Sequence, residues 1–237
     1  MNRAEYEEME ARRIERNLEY LDAGVVFIDL KAVYIDEGVR IGKGTVIYPC
    51  VVLEGDVEIG ENCTIGQNTR IKDSIIGNGT SIQSSVILES KVGNETSVGP
   101  FAYLRPNSEI GSHCKVGDFV EIKNSVVGCG TKVPDDGAKA AHLTYVGDSD
   151  VGKKVNLGCG VVFVNYDGSK KYRSVVEDGA FIGCNVNLVS PVHVGKDAYV
   201  AAGSTITNDV EDGALYVARS KGKSIEGWVE KRGILKK

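Results

Sequence analysis

Aliphatic residues recur at every sixth position over most of the chain. The pattern runs in three stretches: Ile41, Ile47, Leu53, Ile59, Ile65 and Ile71; Val92, Val98, Leu104, Ile110, Val116 and Ile122; and Val176, Ile182, Leu188, Val194, Val200 and Ile206. A helix gives a period of about 3.6 and a half-buried strand a period of about two, so neither explains it. A period of six is typical of a parallel β-helix, in which each hexapeptide is one short strand and one corner.

Small residues and glycines occupy fixed places in this repeat. The small residues stand two positions before an aliphatic one: Thr45, Cys63, Thr69, Thr96, Cys114, Ala180, Ala198 and Ser204. The glycines directly follow an aliphatic residue: Gly42, Gly60, Gly66, Gly93, Gly99, Gly111, Gly117, Gly183 and Gly195. We expect the small residues to face the interior and the glycines to adopt positive φ at corners. Roughly nine triangular coils are predicted, and the unbroken period argues against an ordinary β-sandwich.

Both ends of the chain lie outside the repeat. Residues 2–22 contain neither Gly nor Pro and are rich in helix-forming residues, which predicts a helix that caps the open edge of the first coil. Its loose apolar stripe consists of Tyr6, Met9, Ile14, Leu18 and Leu21. We therefore divide the chain into an N-terminal helix (1–24), a β-helix (25–210) and a C-terminal tail or cap (211–237).

Two polar segments interrupt the repeat. Residues 128–141 contain Pro-Asp-Asp-Gly at 134–137, and residues 164–174 carry Asp167-Gly168, both of which are turn sequences. We expect each segment to leave the coil as a loop, and insertions in repeat proteins gather on the binding face.

Composition excludes several classes of function. The net charge of −5 disfavours nucleic acid as the main partner. No stretch approaches the roughly 18 apolar residues of a membrane span, and the charged N-terminus is unlike a signal peptide. The six cysteines form no C-x-x-C pair, which favours a reduced, cytoplasmic protein without a zinc site or disulfide framework.

Three strings carry a resemblance to a known family: HLTYVGD at 142–148, VNLGCG at 155–160 and NYDG at 165–168. Supporting strings are GPFAYLRP at 99–106, VEIK at 120–123, AAGST at 201–205 and EGW at 226–228. The chain resembles the acetyltransferase half of the bacterial bifunctional N-acetylglucosamine-1-phosphate uridylyltransferase/glucosamine-1-phosphate acetyltransferase family. The resemblance implies an all-β, left-handed parallel β-helix. Because no Gly-rich nucleotide loop follows a strand near the N-terminus, we expect no uridylyl transfer from this chain.

The implied reaction is acetyl transfer from acetyl-CoA to the amine of glucosamine 1-phosphate. That amine must lose a proton to attack a thioester, and a histidine suits the role of general base. The resemblance assigns His142 as this base and Asn165 as a donor that steadies the oxyanion. His113 and His193 fall in regular repeats, and we interpret both as surface residues.

The resemblance also assigns the substrate contacts. Arginine binds phosphate with two parallel hydrogen bonds, and lysine acts as a point charge. The residues assigned to the sugar phosphate are Arg105, Glu121, Lys123, Tyr145, Asn156 and Lys171, with Lys170 as an alternative to Lys171 after a one-residue shift. The residues assigned to acetyl-CoA are Cys159, Asn165, Tyr166, Cys184, Ala202 and Arg219.

Several alternatives were weighed. A cysteine nucleophile at 159 or 184 is disfavoured because no histidine or cation is adjacent in sequence. A zinc site is disfavoured because the three histidines, at positions 113, 142 and 193, include no close pair, and we predict no metal. A different amino-sugar acceptor, or a non-catalytic trimeric scaffold, remains as a second function.

The resemblance implies a homotrimer in which each site uses more than one chain. This sequence carries about seven residues more than the family pattern between Lys123 and His142, which must loop out if His142 is to keep its register.

Overall fold

Short strands follow one another on three faces of a prism, as the period of six predicts. The computed structural model describes residues 1–128 and 137–233. In chain order the strands are β1 Val26–Phe27, β2 Tyr34–Ile35, β3 Arg40–Ile41, β4 Val46–Ile47, β5 Val52–Glu54, β6 Glu58–Ile59, β7 Thr64–Ile65, β8 Arg70–Lys72, β9 Ile75–Ile76, β10 Ser81–Ile82, β11 Val86–Leu88, β12 Lys91–Val92, β13 Ser97–Val98, β14 Tyr103–Leu104, β15 Glu109–Ile110, β16 Lys115–Asp118, β17 Glu121–Lys123, β18 Val126–Val127, β19 Lys139–His142, β20 Tyr145–Gly147, β21 Ser149–Val151, β22 Asn156–Leu157, β23 Val162–Val164, β24 Ser174–Val176, β25 Phe181–Ile182, β26 Asn187–Val189, β27 His193–Val194, β28 Tyr199–Val200, β29 Thr205–Ile206 and β30 Leu215–Tyr216. The helices are α1 Arg3–Asp22, a 3₁₀ turn Leu30–Ala32, and α2 Trp228–Lys231.

Every third strand joins the same parallel sheet. Face A holds eleven strands in the order β1-β4-β7-β10-β13-β16-β19-β22-β25-β28-β30. Face B holds ten, from β2 to β29, and face C holds nine, from β3 to β27. The predicted all-β, left-handed parallel β-helix of hexapeptide repeats is therefore confirmed.

The interior is the predicted aliphatic column. All eighteen aliphatic positions of the repeat are buried except Ile41, which is partly buried against the core. The small residues are buried as well, from Thr45 at the first coils to Ser204 near the last. No coil covers its own apolar side, so stacking of neighbours excludes water from this core.

The predicted reason for the glycines was wrong. Of the nine glycines named above, only Gly99 has positive φ, and left-handed corner positions are held by residues such as Asn62, Asn68 and His113. The glycines are needed because the next coil comes too close. A Cβ on Gly93 would lie 2.5 Å from the backbone N of Ser112.

Helix α1 covers the open edge of the first coil, as predicted. Asn2 and Glu5 form a reciprocal capping box at its start. Side chains from one face then donate to backbone carbonyls of the edge: Arg13 to Lys31 and Val33, Arg16 to Ile35, Asn17 to Leu30 and Val33, and Tyr20 to Val39.

The packed face of α1 is polar, which the sequence analysis did not anticipate. Tyr6, Met9, Leu18 and Leu21 of the predicted stripe are exposed, and Ile14 is partly buried. A strand edge presents unpaired carbonyls, so the helix meets it with hydrogen-bond donors rather than with apolar groups.

Two coils are longer than the rest. Register partners on face A are 18 residues apart from Phe181 to Tyr199, but 24 from Lys115 to Lys139 and 25 from Asn156 to Phe181. The first long coil includes residues 129–136, so most of the predicted loop at 128–141 lies outside the described residues. Its flanks keep register, because Asp118 pairs with His142. Among the described residues, no helix is long and apolar enough to cross a membrane.

Candidate active site

One corner of the β-helix carries a column of chemically active side chains. In successive coils, the residues two positions after the inward-facing residue of a face A strand are Asp118, His142, Cys159, Cys184 and Ala202. Asp118 and His142 are register partners. Since Lys139 pairs with Asn156 and Tyr145 with Val162, His142 and Cys159 hold equivalent positions in adjacent coils. We call these five residues the corner column.

His142 is held by a carboxylate. Its Nδ1 forms a hydrogen bond with Oδ1 of Asp118, so the N–H is on Nδ1 and Nε2 is directed away from that carboxylate. This hydrogen bond is the main reason that the pKa of Asp118 is lowered. The imidazole side chain is 57% exposed, which leaves it accessible to a substrate. Asp118 was missed by the sequence analysis.

A cluster of charged groups lies on face B, whose strands β17 and β20 begin three residues after Asp118 and His142. Nη1 of Arg105 donates to Oε1 of Glu121 at 2.7 Å. The ammonium group of Lys123 meets that of Lys171, and this contact is the largest cause of a lowered pKa at Lys123, to which the charge of Arg105 adds. Three predicted cations therefore converge beside one predicted carboxylate.

Two further predicted residues meet above Gly147. A Cβ at this position would lie 2.4 Å from Oη of Tyr145 and 2.7 Å from Nδ2 of Asn165. Glycine is thus required here for close approach of the phenol and the amide. Gly147 pairs with Lys123 in the neighbouring strand, which places this point beside the cationic cluster.

A buried carboxylate lies behind these groups. Asp148 is 8% exposed and accepts hydrogen bonds from Nδ2 of Asn124 and Nδ2 of Asn165. Burial of a carboxylate is costly unless it is hydrogen-bonded, and these amides supply the donors. Asp148 belongs to the HLTYVGD string, but the sequence analysis gave it no role.

The segment 165–172 forms a small hairpin, as predicted from Asp167-Gly168. Tyr166 and Lys171 form an antiparallel bridge, and Asp167 accepts from the backbone of Ser169 and Lys170. Lys170 is thus in the turn, while Lys171 reaches Lys123, which favours the predicted residue over its neighbour.

Arg173 anchors the end of this hairpin. Its guanidinium binds both carboxylate oxygens of Asp150 and the backbone oxygens of Asn124 and Ser149. The sequence analysis missed Arg173 as well.

The remaining predicted residues are spread along neighbouring surfaces. Cys159, Cys184 and Ala202 lie in the corner column, and Nη1 of Arg219 donates to the backbone oxygen of Ala202 at 2.7 Å. Asn156 lies on face A, paired with Lys139 and Phe181, and is not part of the face B cluster.

Tyr166 and the other histidines have local partners. Tyr166 is exposed and its hydroxyl donates to the backbone oxygen of Gly168. His193 is exposed beside Glu177, as predicted, whereas the His113 side chain is only 14% exposed beside Glu95. Within residues 1–128 and 137–233, no group of three or more His, Cys, Asp or Glu is arranged to hold a metal ion.

Cys159 does have a histidine neighbour, contrary to what the sequence spacing indicates. Because of the coil, Cys159 holds the position next to His142 in the adjacent turn. Sequence distance is a poor guide here because residues a full coil apart are neighbours in space.

The chain carries the sequence repeat of a known family of transferases. The family model called bacterial transferase hexapeptide (six repeats) matches residues 38–73, 89–124 and 173–208 of the chain. Over almost its whole length the chain is also homologous to proteins called bifunctional protein GlmU. The relative from Alkaliphilus metalliredigens is 51% identical over 234 residues, and that from Clostridium beijerinckii is 53% identical over 233.

The chain spans about half the length of these curated relatives. The matches cover 99% and 98% of this chain and 49% of each relative. Among solved structures, the Arabidopsis UDP-N-acetylglucosamine acyltransferase is 17% identical, with 90% of this chain and 76% of that chain covered at a TM-score of 0.38.

Proposed function

We propose that the chain transfers an acetyl group from acetyl-CoA to the amine of glucosamine 1-phosphate. The observation that carries this proposal is the carboxylate-held imidazole of His142 beside the cluster of Arg105, Lys123 and Lys171. His142 ends β19 on face A and Tyr145 begins β20 on face B, with only Leu143 and Thr144 at the corner between them. A base and an anion site in this arrangement suit a substrate that carries an amine and a phosphate on one sugar ring.

The reaction is a direct attack. The acceptor reacts as the neutral amine, and Nε2 of His142 takes one proton from its nitrogen as that nitrogen attacks, while Asp118 stabilises the charged imidazole. The amine nitrogen bonds to the thioester carbonyl, and the resulting oxyanion is stabilised by the amide of Asn165. The C–S bond then breaks, and the thiolate of CoA leaves with the proton that His142 returns.

The phosphate is bound by the three cations. Arg105 keeps one side of its guanidinium on Glu121, and its remaining N–H groups are available to phosphate oxygens. Lys123 and Lys171 repel each other, and a bound dianion relieves that repulsion. Tyr145 supplies a hydroxyl donor on the phosphate side, and Glu121 supplies a carboxylate for the sugar hydroxyls.

Acetyl-CoA lies along the corner column in this proposal. Cys159, Cys184 and Ala202 have small side chains, so a thin pantetheine arm fits against the coils. Arg219, fixed by its bond to Ala202, supplies a cation for the phosphates at the far end. Tyr166, on the exposed hairpin, closes the side nearest Asn165.

We also propose that the working protein is a homotrimer. Phe119 and Leu143 directly follow Asp118 and His142 of the corner column, and Phe101 holds the same place in the preceding coil. Each is more than half exposed, and the two phenyl rings are stacked at 5.4 Å. An apolar ridge of this kind suits burial against another copy of the chain. Asn156 lies apart from its proposed partners within one chain, which suits a site completed by a second copy.

The proposal is tested by release of the CoA thiol with glucosamine 1-phosphate as acceptor. We expect turnover with this acceptor and far less with glucosamine, which lacks the phosphate. Equal rates with both would favour the second candidate, a different amino-sugar acceptor. No turnover in the trimeric protein would favour a scaffold. A cytoplasmic location follows from the proposed substrates.

A further inference from the structure

Asp148 joins several segments of the chain through one buried group. Its carboxylate accepts from the side chains of Asn124 and Asn165. Its backbone N–H donates to the oxygen of Lys123 at 3.1 Å, and its backbone oxygen accepts from the N–H of Ser174 at 3.2 Å. Asp148 thus contacts both ends of the 165–172 hairpin and the strand that carries Lys123.

The carboxylate of Asp148 sets the orientation of the side-chain amide of Asn165. A carboxylate only accepts hydrogen bonds, so the amide must present Nδ2 to it. The second N–H of Nδ2 is then left for the space above Gly147, where Nδ2 lies near the hydroxyl of Tyr145. With a neutral amide in place of Asp148, either orientation of Asn165 would find a partner.

The same contact fixes the root of the hairpin. Asn165 begins the hairpin and its backbone oxygen accepts from Tyr172, while Ser174 directly follows Arg173. A shift of Asn165 therefore carries Tyr166 and Lys171 with it. Arg173 holds the outgoing end. At the incoming end, Val164 is held by its pairing with Val189, and the side chain of Asn165 is held by Asp148.

We propose that Asp148 is a positioning residue, whose buried carboxylate orients the Asn165 amide and thereby sets the hairpin for acetyl transfer. The role in catalysis rests on the proposed function, whereas the orientation of the hairpin does not.

The first experiment is a double-mutant cycle on kcat. Asp148→Asn should lower kcat by on the order of 100-fold, because small misplacements of an oriented group are costly. In an Asn165→Ala background the same change should have almost no further effect, because Asp148 acts through Asn165. Asp178→Asn is the matched control: Asp178 accepts from the backbone N of Lys153 at another corner, and we expect kcat to be unchanged. Fully additive losses of kcat would overturn the proposal.

The second experiment needs no activity. Trypsin cleavage after Lys170 or Lys171, followed by mass spectrometry, reports whether the hairpin is held. Asp148→Asn and Asn165→Ala should both accelerate cleavage at least several-fold. Asn124→Ala removes the other amide from the same carboxylate, and the hairpin should stay protected.

The two experiments separate the two proposals. If the parent has no acetyl transfer, the proposed function fails, and trypsin cleavage alone decides the role of Asp148. If Asp148→Asn does not fold, the comparison of Asn165→Ala with Asn124→Ala decides it. Equal cleavage rates in Asn165→Ala and Asn124→Ala would show that the Asp148 carboxylate does not position the hairpin through Asn165.

Discussion

Nδ1 of His142 donates to Oδ1 of Asp118, although 24 residues separate the two along the chain. They meet because β16 and β19 are parallel neighbours in which Asp118 and His142 are register partners. The contact fixes which imidazole nitrogen carries the proton at rest. It therefore leaves Nε2 as the nitrogen that can act on a substrate amine.

His142→Ala should abolish most turnover while acetyl-CoA binding stays nearly intact. Loss of a general base costs roughly 10²- to 10⁴-fold in rate.

Asp118→Asn should lower kcat by a smaller factor, roughly tenfold or more, because the imidazole keeps a partner but loses the charge that stabilises its protonated form. Steady-state kinetics together with calorimetric binding of acetyl-CoA distinguish the two effects.

A matched control exists for the Asp118 variant. Glu177 approaches Nε2 of His193 at 3.1 Å in a regular coil, so Glu177→Gln breaks a similar pair elsewhere. We expect no change in kcat. A loss equal to that of Asp118→Asn would indicate a general effect on the coil rather than a role at the site.

Lys123 should make substrate affinity unusually sensitive to alkaline pH. Its pKa is lowered, first by Lys171 and then by Arg105. A lysine binds phosphate as the ammonium ion, so the affinity for glucosamine 1-phosphate is retained below this pKa and falls as the pH rises through it. Lys171→Met removes the largest cause, which should raise the pKa and move the fall to higher pH.

Calorimetric titration between pH 7 and 10 follows this shift. Lys170→Met is the control, since Lys170 lies in the same hairpin but is not among the causes of the lowered pKa. We expect its pH profile to match the parent. A profile for Lys171→Met that falls at the same pH as the parent would remove the proposed coupling.

The coil could be predicted from the sequence because every turn repeats the same requirement. Each inward aliphatic residue must pack against its counterparts in the coils above and below. This requirement produces the period of six in the three stretches between Ile47 and Ile206. The polar face of α1 was not predictable in this way. Helix α1 binds a row of backbone carbonyls, such as those of Val33 and Val39. Every residue has a backbone carbonyl, so the pattern of side chains does not show where this row lies.

The resemblance named three cations that the structure brings close together, Arg105, Lys123 and Lys171. Their roles in binding a substrate stay predictions. Asp118 and Asp148 were missed because the contacts Asp118–His142 and Asn124–Asp148 each join residues 24 positions apart. The sequence does not show where an insertion leaves the coil, so it does not show which residues such a long coil brings together.

Cys159→Ala should retain kcat within about threefold if transfer is direct. The variant matters because Cys159 and His142 hold equivalent positions in adjacent coils, the arrangement that an activated thiol requires. Mass spectrometry of the acid-quenched reaction should show no acetylated peptide that contains Cys159. Cys184→Ala, one coil further from His142, is the control. An acetyl thioester on Cys159 together with inactive Cys159→Ala would replace direct attack by a two-step transfer.

Gly93→Ala should destabilise the β-helix by about 1–3 kcal/mol through overpacking. Its φ is not positive, so an alanine faces no backbone strain there, but the new Cβ would lie 2.5 Å from the backbone N of Ser112 in the next coil.

Gly203 distinguishes the two possible reasons for a corner glycine, which are close approach of the next coil and positive φ. It has φ +72° and open space around the position of a Cβ, so Gly203→Ala should cost only the roughly 1–2 kcal/mol of a left-handed alanine. Urea unfolding of both variants measures these costs. Because the coils stack directly, the Gly93 substitution should also open the ladder between β12 and β15. Faster amide exchange at Lys91 and at position 93 would show this, because these N–H groups donate to the backbone oxygens of Ser108 and Ile110, whereas Gly203→Ala should leave that ladder protected. Unchanged exchange at these residues in Gly93→Ala would mean that the coils can separate without cost, contrary to the tight stacking on which the register of the corner column depends.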